Sequence, residues 1–310
     1  MTFQQLEYII AVDKSRHFVN AAAALGVTQS TLSMAISKLE QEIDVTIFDR
    51  SKHPIEPTPM GKRIIQQASV ILHNSSQLLS MVQSERDQVQ GQLLIGMTPS
   101  VAPVLFPRFG RFIKASAPHL QAHIFERSSA QLISALQRSE LDMIIINNSE
   151  LKDSSLLEIS LWTERFMVYA ADGHALRNRE NLRVEELLDG NIWTLRSFHD
   201  QYPQLTEVTH QDTMRQTFLE TGSLQTLISA VDINGGFTLL PESYAACMTP
   251  QQRQGLHPVS SGKFFRTMSL VIRQDYMREG MLNVVIGAVK QIIPRQLLTP
   301  RIANYDRVKI

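Results

Sequence analysis

The amino-acid sequence predicts a mostly helical N-terminal part followed by a larger, two-lobed α/β part. Three observations carry this prediction. Two short helices joined by a tight turn occupy residues 18–40, a long amphipathic helix follows them, and strands alternate with helices from residue 92 onwards. A length of 310 residues suits about two domains.

The helix pair is defined by its caps and its apolar spacing. Asn20 can cap a first helix over residues 21–25, and Gly26 is placed to end it. Thr28 can cap the second helix. One buried stripe at helical spacing runs along that second helix and consists of Leu32, Ile36, Leu39 and Ile43.

The front of the second helix is small and polar, a shape that fits the DNA major groove. Side chains at the start of a recognition helix reach base edges, and cations beside it meet phosphates. The side chains expected to contact DNA are Gln29, Ser30, Thr31, Ser33, Lys38, Arg50 and Lys52. A solvated amphipathic helix pair in some other fold is the alternative interpretation.

A wing and a long helix are predicted next. Residues 48–58 are short and contain prolines, which suits a hairpin. Thr58 as N-cap and Pro59 at the first helical position begin the long helix. Its heptad seam, with one polar position, consists of Ile64, Ala68, Ile71, Ser75, Leu78 and Val82. Packing within its own domain is an alternative, but a dimerisation helix fits better because helix-turn-helix proteins commonly read two half-sites.

The formal net charge of zero argues against binding DNA by bulk attraction. Up to Pro57 the chain carries more acidic than basic residues. Specific binding must therefore depend on the local placement of a few cations, and we expect non-specific binding to be weak.

The C-terminal part reads as alternating strands and helices, which predicts a mostly parallel sheet. The predicted strands are 93–97, 120–125, 141–146, 166–169, 192–195, 236–240 and 264–272, and the predicted helices are about 102–115, 128–138, 223–234 and one that ends at Ile293. A crossing between two lobes is expected around Trp162 to Arg165. Two lobes leave a cleft, where such sheets bind ligands.

Polar side chains collect where these strands end and helices begin. Each hydroxyl alone can be a simple helix cap, whereas convergence on one cleft would make a binding site. The residues expected to line an effector pocket are Thr98, Ser100, Ser129, His199, Asp200 and Ser223.

Several function classes are excluded or disfavoured. The single cysteine, Cys247, excludes an intramolecular disulfide and a multi-cysteine zinc cluster within one chain. No P-loop, dinucleotide fingerprint, His-Glu-x-x-His or Gly-x-Ser-x-Gly occurs, so we expect no enzyme, catalytic residue, metal or cofactor. Without a signal peptide or membrane-spanning run, a cytoplasmic location is expected, and a solute-binding protein without DNA activity is disfavoured.

Taken together, these segments resemble the LysR-type transcriptional regulators from Phe3 to about Pro294. The resemblance rests on Ala21-Ala22, Leu25, Val27-Thr-Gln29, Leu32-Ser33, Ile36, Lys38-Leu39-Glu40, Phe48-Asp-Arg50 and Thr58-Pro59-x-Gly61. It implies a winged helix-turn-helix (1–58), a dimerising linker helix (59–90) and a periplasmic-binding-protein-like α/β effector domain (91–310). It also implies double-stranded DNA and RNA polymerase as partners, a small-molecule effector, and a homodimer or homotetramer.

Within the effector domain the resemblance implies lobe I at about 91–164 and 266–295, and lobe II at about 165–265. The chain looks most like the peroxide-sensing OxyR branch, on Ser223-Leu-x-Thr-Leu227, Gly236 and Leu239-Leu-Pro241. Ser100 and Ser129 match that branch's peroxide-pocket hydroxyls.

The chain departs from the branch at its redox cysteines. His199 matches, but Asp200 replaces the reactive cysteine and Thr209 falls where the resolving one would be. Aspartate forms no disulfide and no sulfenic acid, so thiol switching is not expected. Either Asp200 fixes one regulatory state or the pocket serves a small ligand. The alternative function is a ligand-responsive regulator unrelated to oxidative stress.

Overall fold

The computed structural model describes residues 1–84, 89–148, 151, 155–179, 182–187, 192–195, 217–219, 223–260 and 264–304. It divides into two compact units, one formed mainly by the first 86 residues and one mainly by the remainder. Each unit has its own hydrophobic core. Within the described residues, no helix is long and apolar enough to cross a membrane.

The N-terminal unit begins with three helices, α1 (Phe3–Ser15), α2 (Phe18–Leu25) and α3 (Gln29–Ile43). Thr28 caps α3 as predicted, because its Oγ1 accepts from the Thr31 backbone N–H at 3.2 Å. Leu32, Ile36 and Leu39 of the predicted stripe are fully buried, whereas its last member, Ile43, is only partly buried. They share a core with apolar residues of α1 and α2.

The prediction that Asn20 caps α2 was wrong. The helix begins at Phe18, and His17 is its N-cap residue. The cause is tertiary, because Phe18 is buried and packs edge-on against Phe48 with ring centroids 6.2 Å apart. Gly26 ends α2 as predicted, with a φ of 67° that suits glycine.

The wing follows as predicted, and the long helix begins at the predicted residue but ends before residue 90, because Gln90 is already the first residue of the next strand. Strands β1 (Phe48–Asp49) and β2 (Glu56–Pro57) pair antiparallel, and α4 runs over 26 residues (Pro59–Ser84). Thr58 Oγ1 accepts from the Gly61 N–H at 2.9 Å, which confirms the cap. Along the heptad seam Ala68 is buried, whereas Ile71 and Leu78 are 38% and 53% exposed in the single chain.

The C-terminal unit contains nine further strands and six further helices of the α type among its described residues. They are β3 (Gln90–Met97), α5 (Ala102–Ser116), β4 (His119–Glu126), α6 (Ser129–Gln137), β5 (Met143–Asn147), β6 (Leu156–Ala170), β7 (Trp193–Leu195), β8 (Thr217–Leu219), α7 (Leu224–Asn234), β9 (Phe237–Pro241), α8 (Pro250–Arg253), β10 (Leu256–Pro258), β11 (Phe265–Arg273), α9 (Glu279–Ile292) and α10 (Pro300–Ala303).

The main sheet is mixed, so the prediction of a mostly parallel sheet was wrong. Its strand order is β10-β6-β11-β5-β3-β4, with β9 also pairing with β6. Only β3 pairs in parallel, with β4 and β5, while β11 runs antiparallel to both β5 and β6. The shorter β7 and β8 form a separate parallel pair.

The predicted crossing at Trp162 to Arg165 lies inside one continuous strand, the 15-residue β6. Residues 156–165 pair with β11, and residues 166–170 pair with β9 and β10. The strand therefore passes between two groups of strands without a break, and the sequence prediction of a strand starting at residue 166 recovered only its end.

Gly61 provides a test of the packing at the start of α4. A Cβ at this position would lie 2.0 Å from the carbonyl oxygen of Ile47, which is backbone and cannot rotate away. We expect Gly61→Ala to destabilise the N-terminal unit by about 1–3 kcal/mol. Hydrogen–deuterium exchange of peptides covering residues 44–65 should therefore become faster.

Gly110→Ala is the matched control, because a Cβ there meets nothing within 4 Å. Alanine in that position of α5 should leave exchange in residues 44–65 unchanged. Equal exchange in the Gly61→Ala variant and the unmodified protein would contradict the close contact.

Candidate functional site

The first turns of α3 present hydroxyls and an amide to solvent. Gln29, Ser30 and Thr31 are exposed and Ser33 is half-buried. The cap residue Thr28 organises this end, because its Oγ1 lies 2.9 Å from Ser30 Oγ and 2.8 Å from Thr31 Oγ1. The predicted polar front of the helix is therefore accessible, and capping hydrogen bonds connect part of it.

Arg50 of the wing lies across α3. Its Nη2 donates to Ser37 Oγ and to Glu40 Oε2, both at 2.9 Å, and its Nη1 lies 3.4 Å from Ser33 Oγ. The guanidinium also sits 5.4 Å from the centroid of the Phe18 ring. This predicted phosphate contact is thus engaged within the unit, with its side chain still 41% exposed.

Glu40 fixes the recognition helix to the wing. Its Oε1 accepts from the backbone N–H groups of Ile47 and Phe48, at 2.7 and 3.2 Å, while its Oε2 accepts from Arg50. The sequence motif that contains Glu40 does not by itself indicate this role. An acid on α3 followed by an arginine in the wing was the available signal.

The other two predicted cations are more exposed. Lys38 lies on the exposed face of α3. Lys52 Nζ pairs with Glu56 Oε2 at 2.6 Å, but both side chains are more than half exposed. Such an exposed pair contributes little stability, so it leaves Lys52 able to exchange its partner for another anion.

The predicted effector residues separate into groups. Thr98 and Ser100, both buried, follow β3, and their hydroxyls lie 3.4 Å apart. Ser129 is buried at the start of α6, and its Oγ has no hydrogen-bond partner among the residues that the structure describes. Ser223 caps α7 by accepting from the Thr226 N–H at 3.2 Å. His199 and Asp200, together with Thr209, lie outside the described residues.

A buried ion pair lies beside Ser100. Arg266 on β11 and Glu164 on β6 are cross-strand partners, with Nη2 2.8 Å from Oε1 and both side chains fully buried. Arg266 Nη1 donates to Ser100 Oγ at 2.9 Å. Sequence reasoning missed this pair, although isolated charges within apolar strands were the signal.

Glu164 collects further donors from two directions. Its Oε1 accepts from Trp162 Nε1 at 3.1 Å, and its Oε2 accepts from the Ser243 backbone N–H at 2.7 Å. Ser243 belongs to the turn directly after β9. The carboxylate therefore links β6, β11 and that turn, and Arg266 extends the link to Ser100.

A cavity of about 440 Å³ opens between the start of α5 and the turn after β9. Pro99, Pro103 and Arg108 line one side, while Tyr244 and Cys247 line another. The capping residue Ser223 also borders the cavity, the only predicted effector residue to do so among those described. Its walls combine apolar surface with a few polar groups, as ligand sites do.

Two polar groups of this cavity, the Cys247 thiol and the Tyr244 hydroxyl, have raised pKa values and are neutral near pH 7. Burial raises the pKa of the Cys247 thiol, although Arg108 and Arg253 oppose the shift. Burial also raises the pKa of Tyr244 to about 12. The Cys247 thiol lies 3.3 Å from the Pro103 carbonyl oxygen, to which it donates. A protonated, hydrogen-bonded thiol is a poor nucleophile, so this cysteine is not built for rapid oxidation.

Each of the two units matches a known protein family. Residues 3–62 match the bacterial regulatory helix-turn-helix family of the lysR type, and residues 86–292 match the LysR substrate binding domain. The hydrogen peroxide-inducible genes activator of Haemophilus influenzae is 27% identical over 292 residues, which cover 93% of this chain and 96% of that protein.

Two solved structures show the same similarity. A full-length OxyR of Pseudomonas aeruginosa with a cysteine-to-aspartate substitution is 28% identical, with a TM-score of 0.78, and the match covers 97% of this chain and 98% of that one. A Corynebacterium glutamicum OxyR cysteine-to-serine mutant with hydrogen peroxide bound is 26% identical, with a TM-score of 0.58 and 94% of each chain covered.

The Glu164–Arg266 pair predicts a large effect on stability. Glu164→Gln removes the negative charge and leaves the Arg266 guanidinium buried without a counterion, which should lower the free energy of unfolding by about 3–5 kcal/mol. Urea denaturation followed by tryptophan fluorescence measures this directly, because both tryptophans lie in the C-terminal unit.

Glu242→Gln is the control, since Glu242 pairs with Arg165 at 3.1 Å with side chains 27% and 43% exposed. Solvent screens this second pair, and its loss should cost about 0–1 kcal/mol. Similar losses in the two variants would contradict a special role for the buried pair.

Proposed function

Because this chain belongs to the LysR family of DNA-binding transcriptional regulators, we propose that it controls transcription through a signal other than a thiol–disulfide switch. The observation that carries this proposal is the single cysteine, Cys247. One cysteine cannot form a disulfide within a chain, and the thiol here is held protonated. Something other than a disulfide within the chain therefore sets the state of the effector domain.

A small ligand in the effector domain is the signal that we favour. The cavity beside Ser223 offers apolar walls together with the Tyr244 hydroxyl and the Arg108 guanidinium. Thr98, Ser100 and Ser129 lie outside the lining of this cavity and, with His199 and Asp200, stay the effector contacts that the sequence predicts. The names of the OxyR relatives support a role in the response to oxidative stress.

A regulator held in one state is the second candidate. The sequence has aspartate at position 200, where the resemblance expects the reactive cysteine. The Pseudomonas aeruginosa OxyR structure also carries a cysteine-to-aspartate substitution. A fixed carboxylate in that position would hold one regulatory state without any ligand.

The output is sequence-specific binding to double-stranded DNA through α3, with RNA polymerase as the downstream partner in the cytoplasm. Two copies would pair through α4, whose seam residues Ile71 and Leu78 are 38% and 53% exposed in the single chain. Burying that surface stabilises a dimer, and dimers place two recognition helices on two half-sites. A homotetramer follows from pairing two such dimers.

The recognition surface predicts a loss of DNA affinity. Gln29→Ala or Ser33→Ala removes a group that can hydrogen-bond a base edge, which should weaken operator binding about tenfold. A mobility-shift titration on the DNA upstream of its own gene measures the change, and sedimentation checks that the dimer is intact. Gln121→Ala, on an exposed position of β4, should bind normally. Unchanged binding in both recognition variants would remove α3 from the interface.

The presence of a single cysteine predicts that DNA binding is insensitive to peroxide. Treatment of the purified protein with hydrogen peroxide should leave its DNA footprint unchanged, because no disulfide can form within the chain. Cys247→Ser is the cysteine-free control and should behave identically. A peroxide-dependent footprint that is lost in Cys247→Ser would overturn the proposal, because it would show that the thiol carries the signal.

A further inference from the structure

Met34 is an apolar side chain that stands in solvent at the middle of α3. It is 71% exposed, whereas Leu32 and Ile36, two residues before and after it, are fully buried. Side chains separated by two positions along an α-helix point about 200° apart around its axis. Met34 therefore faces directly away from the core, at the centre of the outward face of the helix.

Its neighbours on that face are polar. Thr31 and Ser30 lie one turn earlier, and Ser37 and Lys38 lie one turn later. Arg50 reaches the hydroxyl of Ser37 on the flank of this face, yet Met34 stays uncovered. A large thioether is thus surrounded by hydroxyls and a cation on the surface expected to enter the major groove.

We propose that Met34 contacts the C5 methyl group of a thymine and selects for thymine at one position of each half-site. The methyl is the apolar group that a base presents in the major groove. A methionine side chain is flexible and polarisable, which suits contact with such a small group. This inference rests on the proposed use of α3 to read DNA.

The flanking residues fit this placement. Lys38, one turn further along the helix, can meet a phosphate, while Ser30 at the preceding turn can bond a base edge or a phosphate. Neither the Ser30 hydroxyl nor the Lys38 ammonium distinguishes thymine from its demethylated analogue. Thr31 also carries a methyl group that can contact thymine, so the Met34 variants decide which side chain makes the contact.

The experiment uses the full chain and deoxyuridine. The unmodified protein first selects its site from a random duplex pool. Each thymine of the selected site is then replaced singly by deoxyuridine, which removes only the methyl and keeps the base pair. At one position in each half-site, this replacement should weaken binding about fourfold, as expected for one buried methyl group.

The variants assign that effect to Met34. Met34→Ala should bind the thymine and deoxyuridine duplexes equally, and Met34→Leu should regain the preference because it keeps an apolar side chain. Met60→Ala removes another exposed methionine, outside α3, and should keep the full preference.

The outcomes separate this inference from the function on which it rests. Deoxyuridine sensitivity that is the same in Met34→Ala and the unmodified protein would overturn the thymine contact and leave DNA reading by α3 intact. Sequence-specific binding without any deoxyuridine-sensitive position would do the same. Failure to select any sequence would overturn both.

Discussion

In the C-terminal unit, the buried carboxylate of Glu164 holds the segments around the cavity together. It accepts from Arg266, from Trp162 Nε1 and from the Ser243 backbone N–H, and Arg266 reaches onward to Ser100. A buried charge is tolerable only when its partners are all in place. The continuous strand β6, the returning strand β11 and the turn toward the cavity are consequently held to one geometry.

The N-terminal unit uses a carboxylate in the same way. Glu40 accepts two backbone N–H groups at the base of the wing and one guanidinium donor, so α3 and the wing share a fixed orientation. Arg50 is partly neutralised by this contact, and the local acid excess weakens bulk attraction further. Specificity then has to come from α3 itself, where polar groups and the exposed Met34 face outward.

The sequence predicted the N-terminal unit well because its signals are local. Caps at Thr28 and Thr58 and the stripe through Leu32 need only neighbouring residues, whereas the start of α2 depended on the distant packing of Phe18. In the C-terminal unit, Glu164 interrupts the apolar pattern of β6, so the sequence predicted a crossing between two lobes where one strand continues. Strand direction is set by pairing across the sheet, which no local pattern records. The cavity could not be predicted from the sequence for a similar reason, since its walls come from segments far apart in the chain.

Hydroxyl-radical footprinting of the full chain on its selected DNA site tests the central claim most directly. Two recognition helices presented by one dimer should protect two half-sites on one face of the duplex, separated by a whole number of turns of about 10–10.5 base pairs. Protection spread evenly along the duplex whatever its sequence, or no protection at all, would contradict the assignment of α3 as the reading element.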